Sequence, residues 1–178
     1  MNQKNTDISK TGLNLKLKAI KYCEFASEET NCYTANLYVD EKVFAIVSND
    51  GIGGCDNTYK HPKCKLLRVE HSNKISEINE KLGTIRTAPS KFIPKGLKFD
   101  LELWCGEQVT KFLIDKEFKN LLKTKTIIID GGKCYTIARK WDNNEKFINK
   151  LEKQYKGCLI LNTLSFEEGV EKYIKYAT

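Results

Sequence analysis

The sequence predicts an α+β fold in a single domain spanning residues 1–178, on three observations. Residues 13–18 and 33–39 alternate apolar and polar side chains at the two-residue period of half-buried strands, and residues 43–47 form a more continuously apolar run. Later segments carry apolar residues at spacings of three and four, the period of amphipathic helices. A Gly-Gly turn between two short apolar runs supplies a hairpin among those helices.

The elements follow in order. Leu13 to Lys18 alternates cleanly and slips phase near Ala19-Ile20, so the first strand carries a bulge. Tyr33, Ala35, Leu37 and Val39 mark a second strand, Asp40-Glu41 a short turn, and Val43 to Val47 a third strand, completing a three-stranded antiparallel meander. Asn49 to Lys65, rich in Gly, Asn, Asp and Lys, is expected to be a long loop, the kind of segment that often serves function. Ser72 as N-cap, Ile75, Ile78 and Leu82 on one face, and a left-handed Gly83 predict a helix over 73–82. Residues 84–99, with Pro89, Pro94 and Gly96, form a connector, and residues 1–12 a flexible tail. Asp100 opens the longest helix, with Leu101, Trp104, Val109, Phe112 and Phe118 facing a core. Thr126 to Ile129 and Cys134 to Ala138 make the hairpin. A capping box at Asp142-Asn143-Asn144-Glu145 starts a helix closed by Gly157. Residues 158–161 form a short buried strand, and a second box at Ser165 to Glu168 starts the last helix.

Composition bounds the partners. Lys+Arg 30 against Asp+Glu 23 gives a net charge of +7, which leans toward anionic partners, although scattered lysines also serve solubility. No apolar run approaches the roughly 18 residues of a membrane span, and Met1 to Gly12 has no apolar core, so a cytoplasmic location with no membrane partner is expected. Seven cysteines in such a setting read as free thiols or metal ligands, and an odd number cannot pair completely. Nothing in the pattern assigns a cofactor.

The meander itself locates a candidate site. In an up-down-up sheet the loop before the second strand and the loop after the third lie at the same end. With Val39 opposite Lys42, the register puts Cys32 opposite Asn49 and Asn31 opposite Asp50. Glu28, Glu29, Thr30, Asn31, Asn49, Asp50, Gly51, Gly53, Gly54 and Asp56 therefore converge. Carboxylates and turned carbonyls there suit a hard cation, and consecutive glycine N–H groups suit a phosphate or another anion. Ordinary turn chemistry with solvated Glu residues accounts for the same letters.

Three further constellations are weighed. Cys55, His61, Cys64 and His71 are close enough in sequence to share a zinc, but their spacing matches no standard finger. Cys32 or Cys55 with His61 as base and Asp50 as orienter has the residue types of a nucleophilic triad. Lys111, Lys116, Lys119, Lys123, Lys125, Lys133, Arg139 and Lys140, with Trp141 at the edge, make a candidate basic surface for nucleic acid; a solvated helix face gives the same pattern.

The stretch Phe25-Ala26-Ser27-Glu28-Glu29-Thr30-Asn31-Cys32-Tyr33, followed by Val47-Ser48-Asn49-Asp50-Gly51 and Gly53-Gly54-Cys55-Asp56, resembles a family of small bacteriophage and bacterial proteins. The likeness extends through His61-Pro62, Asp100-Leu101-Glu102 and Leu159 to Asn162, and so over most of the chain. Where the family pattern has His between the glycines this chain has Ile52, which weakens any metal or catalytic role leaning on that His. The resemblance implies a phage-type accessory protein acting in the host cytoplasm, carries no catalytic assignment, and points to the same two loops.

Two functions are therefore expected of one place. The first is a non-enzymatic binding site for a small anionic or nucleotide-like ligand or for a host protein, with countering host defence as one version. The second is a metal-dependent hydrolase or nuclease using Glu28, Glu29 and Asp50 as cation ligands and His61 as acid or base. The scarcity of acid and His signatures favours binding.

Overall fold

A computed structural model describes residues 6–89, 91, 93–142 and 144–177. It is α+β, and its described residues form two compact units divided between Thr110 and Lys111, within the longest helix. The first unit contains β1 (Leu15–Tyr22), β2 (Tyr33–Val39), β3 (Lys42–Asn49), β4 (Asn57–Lys60), α1 (Arg68–Leu82) and the start of α2 (Leu101–Thr124). The second contains the rest of α2, β5 (Thr126–Asp130), β6 (Lys133–Ile137), α3 (Glu145–Gln154), β7 (Leu159–Ile160) and α4 (Phe166–Tyr176).

The first sheet runs β1-β2-β3-β4, all antiparallel, so the expected meander gains a fourth strand. That strand, Asn57 to Lys60, lies within the stretch expected as loop; it is a short edge strand with no buried residue, so alternation leaves no trace in it. Tyr33, Ala35, Leu37 and Val39 are buried on one face of β2, as their period requires. The bulge in β1 falls where the phase slips: Lys18 pairs with Asn36, Lys21 with Thr34, and Ala19 takes a left-handed φ of 53°. The Asp40-Glu41 turn is a primed two-residue turn built without glycine, with φ of 49° and 63°.

Val39 does pair with Lys42, but a second bulge corrects the register beyond it. Tyr38 faces Val43 and Leu37 faces Ala45, leaving Phe44 as the extra residue, so Tyr33 rather than Cys32 lies opposite Asn49. Phe44 and Ala45 are both buried in consequence. Phe44 stacks on His71 of α1 at 4.2 Å between ring centres, the aromatic contact that the extra residue makes possible.

Helix α1 starts earlier than its pattern suggests. Its N-cap is Leu67 rather than Ser72, and the Glu70 carboxylate accepts the Leu67 N–H at 2.7 Å. The first turn carries Leu67 and Val69 facing outward, 71% and 70% exposed, which hides the helix from a periodicity test. Gly83 is right-handed, φ −63°, and not left-handed as expected, because the chain continues in a tightening turn in which Thr84 N–H donates to Lys81 C=O. Within residues 84–99, Thr87 N–H donates to Leu97 C=O and Phe99 N–H to Ile85 C=O; Ser90 and Phe92 lie outside the described residues. Of residues 1–12, those from Thr6 onward are described: Thr6 donates twice to the Glu107 carboxylate, at 2.8 and 2.7 Å.

The second unit's sheet is ordered β6-β5-β7, and the β5–β6 hairpin turns on Gly131 and Gly132 with φ of 54° and 77°. Phe118, Ile127, Ile129, Leu161 and Val170 form its core. The N-cap of α3 is Asn144, whose side chain accepts the Lys146 N–H, not Asp142; Asp142 instead accepts the Asn144 N–H and pairs with Arg139. Asn143, the second position of the expected box, lies outside the described residues. The box at Ser165 and Glu168 is present as read. The short strand β7 is less buried than expected, with Leu159 38% exposed, because only β5 pairs with it. Among the described residues no helix is long and apolar enough to cross a membrane.

Candidate functional site

The two loops do meet at the Asn49 end of the first sheet, and one carbonyl and one amide hold them. Residues 23–32 close on themselves. Cys23 N–H donates to Cys32 C=O at 3.0 Å, while Ser27 Oγ donates to Cys23 C=O at 2.8 Å and accepts Cys32 N–H at 2.9 Å. The three consecutive N–H groups of Glu28, Glu29 and Thr30 then all point at the Gly51 carbonyl, at 3.0, 2.9 and 3.1 Å. Such a run of N–H groups is the kind of concavity that holds an anion, and here it holds a peptide oxygen of the facing loop.

Asn49 does the same from its side. It is 7% exposed, and its amide meets all of its hydrogen-bonding capacity. Oδ1 accepts from Thr30 Oγ1 at 2.7 Å and from Gly51 N–H at 2.9 Å; Nδ2 donates to Gly54 C=O at 2.9 Å and to Asp56 Oδ1 at 3.0 Å. The other Asp56 oxygen accepts the Tyr33 hydroxyl. Burial, with Cys105 and the Asp56 carboxylate nearby, holds the Tyr33 hydroxyl protonated far above its ordinary range. One buried amide thus ties the first loop, the glycine loop and the entry to β4 together.

Gly51 is required at its position. Its φ is 88°, and a Cβ there would lie 1.9 Å from the Ala26 carbonyl oxygen and 2.9 Å from Cys32 Cβ. Gly53, φ 89°, packs against the Glu29 side chain and donates its N–H to Thr30 Oγ1 at 3.3 Å. Ile52 N–H turns back to Asp50 Oδ1 at 3.4 Å.

Of the ten residues read from sequence, all therefore sit at this tip, but they divide by role. Thr30, Asn49, Gly51, Gly53, Gly54 and Asp56 are spent on one another. Glu28, Glu29 and Asp50 are exposed, and Asn31 is half-buried. Beside them stand two residues that sequence reasoning passed over: Phe25 is 97% exposed and Ile52 63% exposed. Phe25 precedes and Ile52 follows the residues in the Ala26–Gly51 contact, so both flank one close approach of backbone to backbone. The sequence extends the first strand's pattern to Phe25, whereas the strand ends at Tyr22 and Phe25 sits in a helical turn over Glu24–Ala26, ahead of the polar run Ser27 to Asn31.

The alternative chemistries do not assemble. Asn57 pairs with Ser48 and Lys60 with Ala45, and His61 N–H donates to Phe44 C=O at 3.1 Å. This places His61 at the far end of β3 from Cys32, Asp50 and Cys55, with its Nδ1 accepting the Lys63 N–H. The triad and the His61 general-base role are both corrected by that separation. Among the described residues no group of three or more His, Cys, Asp or Glu side chains is gathered to hold a metal, so the zinc quartet of Cys55, His61, Cys64 and His71 is not formed. His71 is buried and burial pushes its pKa down.

A cavity of about 170 Å³ adjoins the tip residue Asp56, with Thr58, Asn79, Asp100, Glu102 and Cys105 among its lining. Its polar groups are largely occupied by the fold. Asp100 Oδ1 caps α2 by accepting Leu103 N–H, and Asn79 Oδ1 accepts Leu101 N–H. Burial and the carboxylates of Asp56, Asp100 and Glu102 push the Cys105 thiol well up, which leaves it protonated and a poor nucleophile.

The basic surface of the second unit is also partly committed. Arg139 pairs with Asp142 and lies 4.1 Å over the Phe147 ring; Trp141, half-buried, packs its ring 6.0 Å from the same ring. Lys111, Lys116, Lys119, Lys123, Lys133 and Lys140 are exposed, and Lys125 is half-buried. Trp141, the aromatic that a stacking platform would use, is therefore half-buried beside Phe147. Comparison with protein-family models, with curated proteins and with solved structures finds no match to this chain.

Proposed function

We propose that the protein is a non-enzymatic binding module whose two-loop tip docks a protein partner. The observation that carries this reading is Phe25, 97% exposed on a loop that hydrogen bonds hold rigid. A large apolar side chain kept in water by a fixed scaffold resembles the aromatic anchors of interfaces, which lose little entropy on binding because they are already placed. Ile52 extends the apolar surface, and Glu24, Glu28, Glu29 and Asp50, all exposed, rim it with negative charge. The partner that fits has an apolar pocket framed by Lys or Arg.

The same geometry weighs against the small-anion reading. The N–H groups of Glu28, Glu29, Thr30, Gly51, Ile52 and Gly53 all have internal acceptors, and the nearby side chains are acidic. A hard cation fares no better, since the carbonyls of Gly51 and Gly54 already accept hydrogen bonds. A protein partner, rather than a small anion or a cation, is the version of the binding reading that the tip favours. Burying one Phe side chain contributes about 2 kcal/mol, or about a thirtyfold change in affinity. Affinity capture from the cells that express the protein tests the reading. Partners held by the unaltered chain are expected to be lost from Phe25→Ala and from Glu28→Lys/Glu29→Lys. Capture unchanged by both variants, or nucleotide binding in titration calorimetry, contradicts it.

A further inference from the structure

The first unit carries a second exposed surface whose chemistry is the inverse of the tip. Between β4 and the first turn of α1, Lys60, Lys63, Lys65 and Arg68 are exposed, and Leu67 and Val69 stand among them at 71% and 70% exposure. Among the described residues no ion pair includes any of these four cations, and none includes Glu24, Glu28, Glu29 or Asp50 at the tip. The tip thus offers four carboxylates around Phe25 and Ile52, and the shoulder four cations around Leu66, Leu67 and Val69, with its one carboxylate, Glu70, accepting the Leu67 N–H at the helix cap.

The two surfaces cannot satisfy each other within one chain. The tip lies at the Asn49 end of β3, whereas His61 N–H bonds Phe44 C=O near the other end, and the basic segment follows from there. Five residues of β3 separate them, about 17 Å at the rise of an extended strand. Both belong to the same compact unit, so that spacing is fixed.

We infer that the chain associates head to tail, the acidic Phe25/Ile52 tip of one copy docking on the basic Leu67/Val69 shoulder of the next. This rests on the reading of the tip as a protein-docking surface and names its partner as a second copy. Charge complementarity is what selects it. The net charge of +7 opposes unoriented contacts between copies, while the local signs favour this one orientation. Because the two faces differ, the contact is heterologous: one end of the assembly keeps a free tip and the other a free shoulder, and copies add until a ring closes or a filament grows. Surface charges within a Debye length of about 10 Å at 0.1 M salt are screened as salt rises, so assembly weakens at high ionic strength.

Sedimentation velocity on the full chain over a wide concentration range tests this with two variants, Glu28→Lys/Glu29→Lys at the tip and Lys65→Glu/Arg68→Glu at the shoulder. All four positions are exposed, and circular dichroism checks that both variants fold. The unaltered chain is expected to form a concentration-dependent series of species, and each variant alone to remain monomeric. Mixed in equal amounts, the variants are expected to associate again, since the tip variant keeps an intact shoulder and the shoulder variant an intact tip. An unaltered chain that stays monomeric at every concentration overturns the inference, as does a mixture that stays monomeric. Co-sedimentation of the monomer with vesicles of anionic and neutral phospholipid, lost in the shoulder variant, would instead assign the shoulder to a lipid surface and likewise overturn it. Failure of self-association leaves the tip reading standing if capture still depends on Phe25; if capture is also indifferent to Phe25, both fall.

Discussion

Replacing Gly51 by Ala perturbs the contact on which the tip depends, and its consequences can be worked from the structure. The added Cβ would meet the Ala26 carbonyl oxygen at 1.9 Å and its carbon at 2.9 Å, both backbone atoms that no rotamer change can move. Holding a side chain at φ near 88° adds strain of about 1 to 3 kcal/mol. If the loop shifts away to relieve the clash, the N–H groups of Glu28, Glu29 and Thr30 lose their shared acceptor, at about 1 kcal/mol net for each. Either route destabilises by about 3 to 5 kcal/mol, enough to lower the melting temperature by roughly 10 °C in a chain of this size. Two other glycines calibrate the effect. At Gly53 the clash is with the free end of the Glu29 side chain, 2.2 Å away but able to swing aside, so the φ of 89° alone matters and about 1 kcal/mol is expected. At Gly54 a Cβ meets nothing within 4 Å, so Ala there is expected within about 0.5 kcal/mol of the unaltered protein. Urea denaturation gives the three values, and amide hydrogen exchange at Glu28, Glu29 and Thr30 reports whether the loop has detached. A Gly51→Ala protein with unchanged midpoint and unchanged protection at those amides would refute the reasoning.

Other outcomes follow from the same network and from the two cores. Asn49→Asp keeps the acceptor but removes both donors and sets a second carboxylate against Asp56, so it is expected to destabilise by more than about 3 kcal/mol in urea titration, and more at pH 7 than at pH 4. Asn162 bridges β5 by accepting Ile127 N–H at 2.7 Å and donating to Lys125 C=O at 3.0 Å; Asn162→Ala is expected to cost about 2 kcal/mol and to raise amide exchange at Ile127. His71 has its pKa pushed down by burial, so the unfolded chain takes up its proton first as pH falls. Its contribution is intact above the unfolded value of about 6.5 and is lost progressively below it. The loss of stability between about pH 7 and pH 5 is expected to be shallower in His71→Phe, which keeps a ring against Phe44, when both are followed by thermal melts.

The elements with strong periods were legible in the sequence. β2 reads directly from Tyr33, Ala35, Leu37 and Val39, the hairpin from Gly131-Gly132, and α4 from Ser165 and Glu168, because each rests on a local rule that tertiary packing leaves undisturbed. What was missed is where packing competes with the local signal. The extra residue Phe44 has no sequence mark, since bulge and regular strand are equally apolar there, and it shifts the register at the site by one. The first turn of α1 shows Leu67 and Val69 to solvent and so breaks the apolar stripe. At the site, topology alone brought Glu28 to Asn31 beside Asn49 to Asp56. It could not say that the polar residues would consume one another, because hydrogen-bond partners depend on the orientation of Gly51 and Asn49 and not on the spacing of letters. Phe25 was passed over for the opposite reason: a single exposed aromatic is a property of the folded surface.

Photo-cross-linking from position 25 tests the central claim most directly. With p-benzoylphenylalanine in place of Phe25, and the same group at Tyr135, which is 43% exposed in the second unit, as the control, irradiation in the expressing cells should give a discrete protein adduct from position 25 only. Reversing the charge of Glu28 and Glu29 should abolish that adduct. Equal labelling from both positions, or an adduct indifferent to the acidic rim, would contradict the account of the tip as a protein-docking surface.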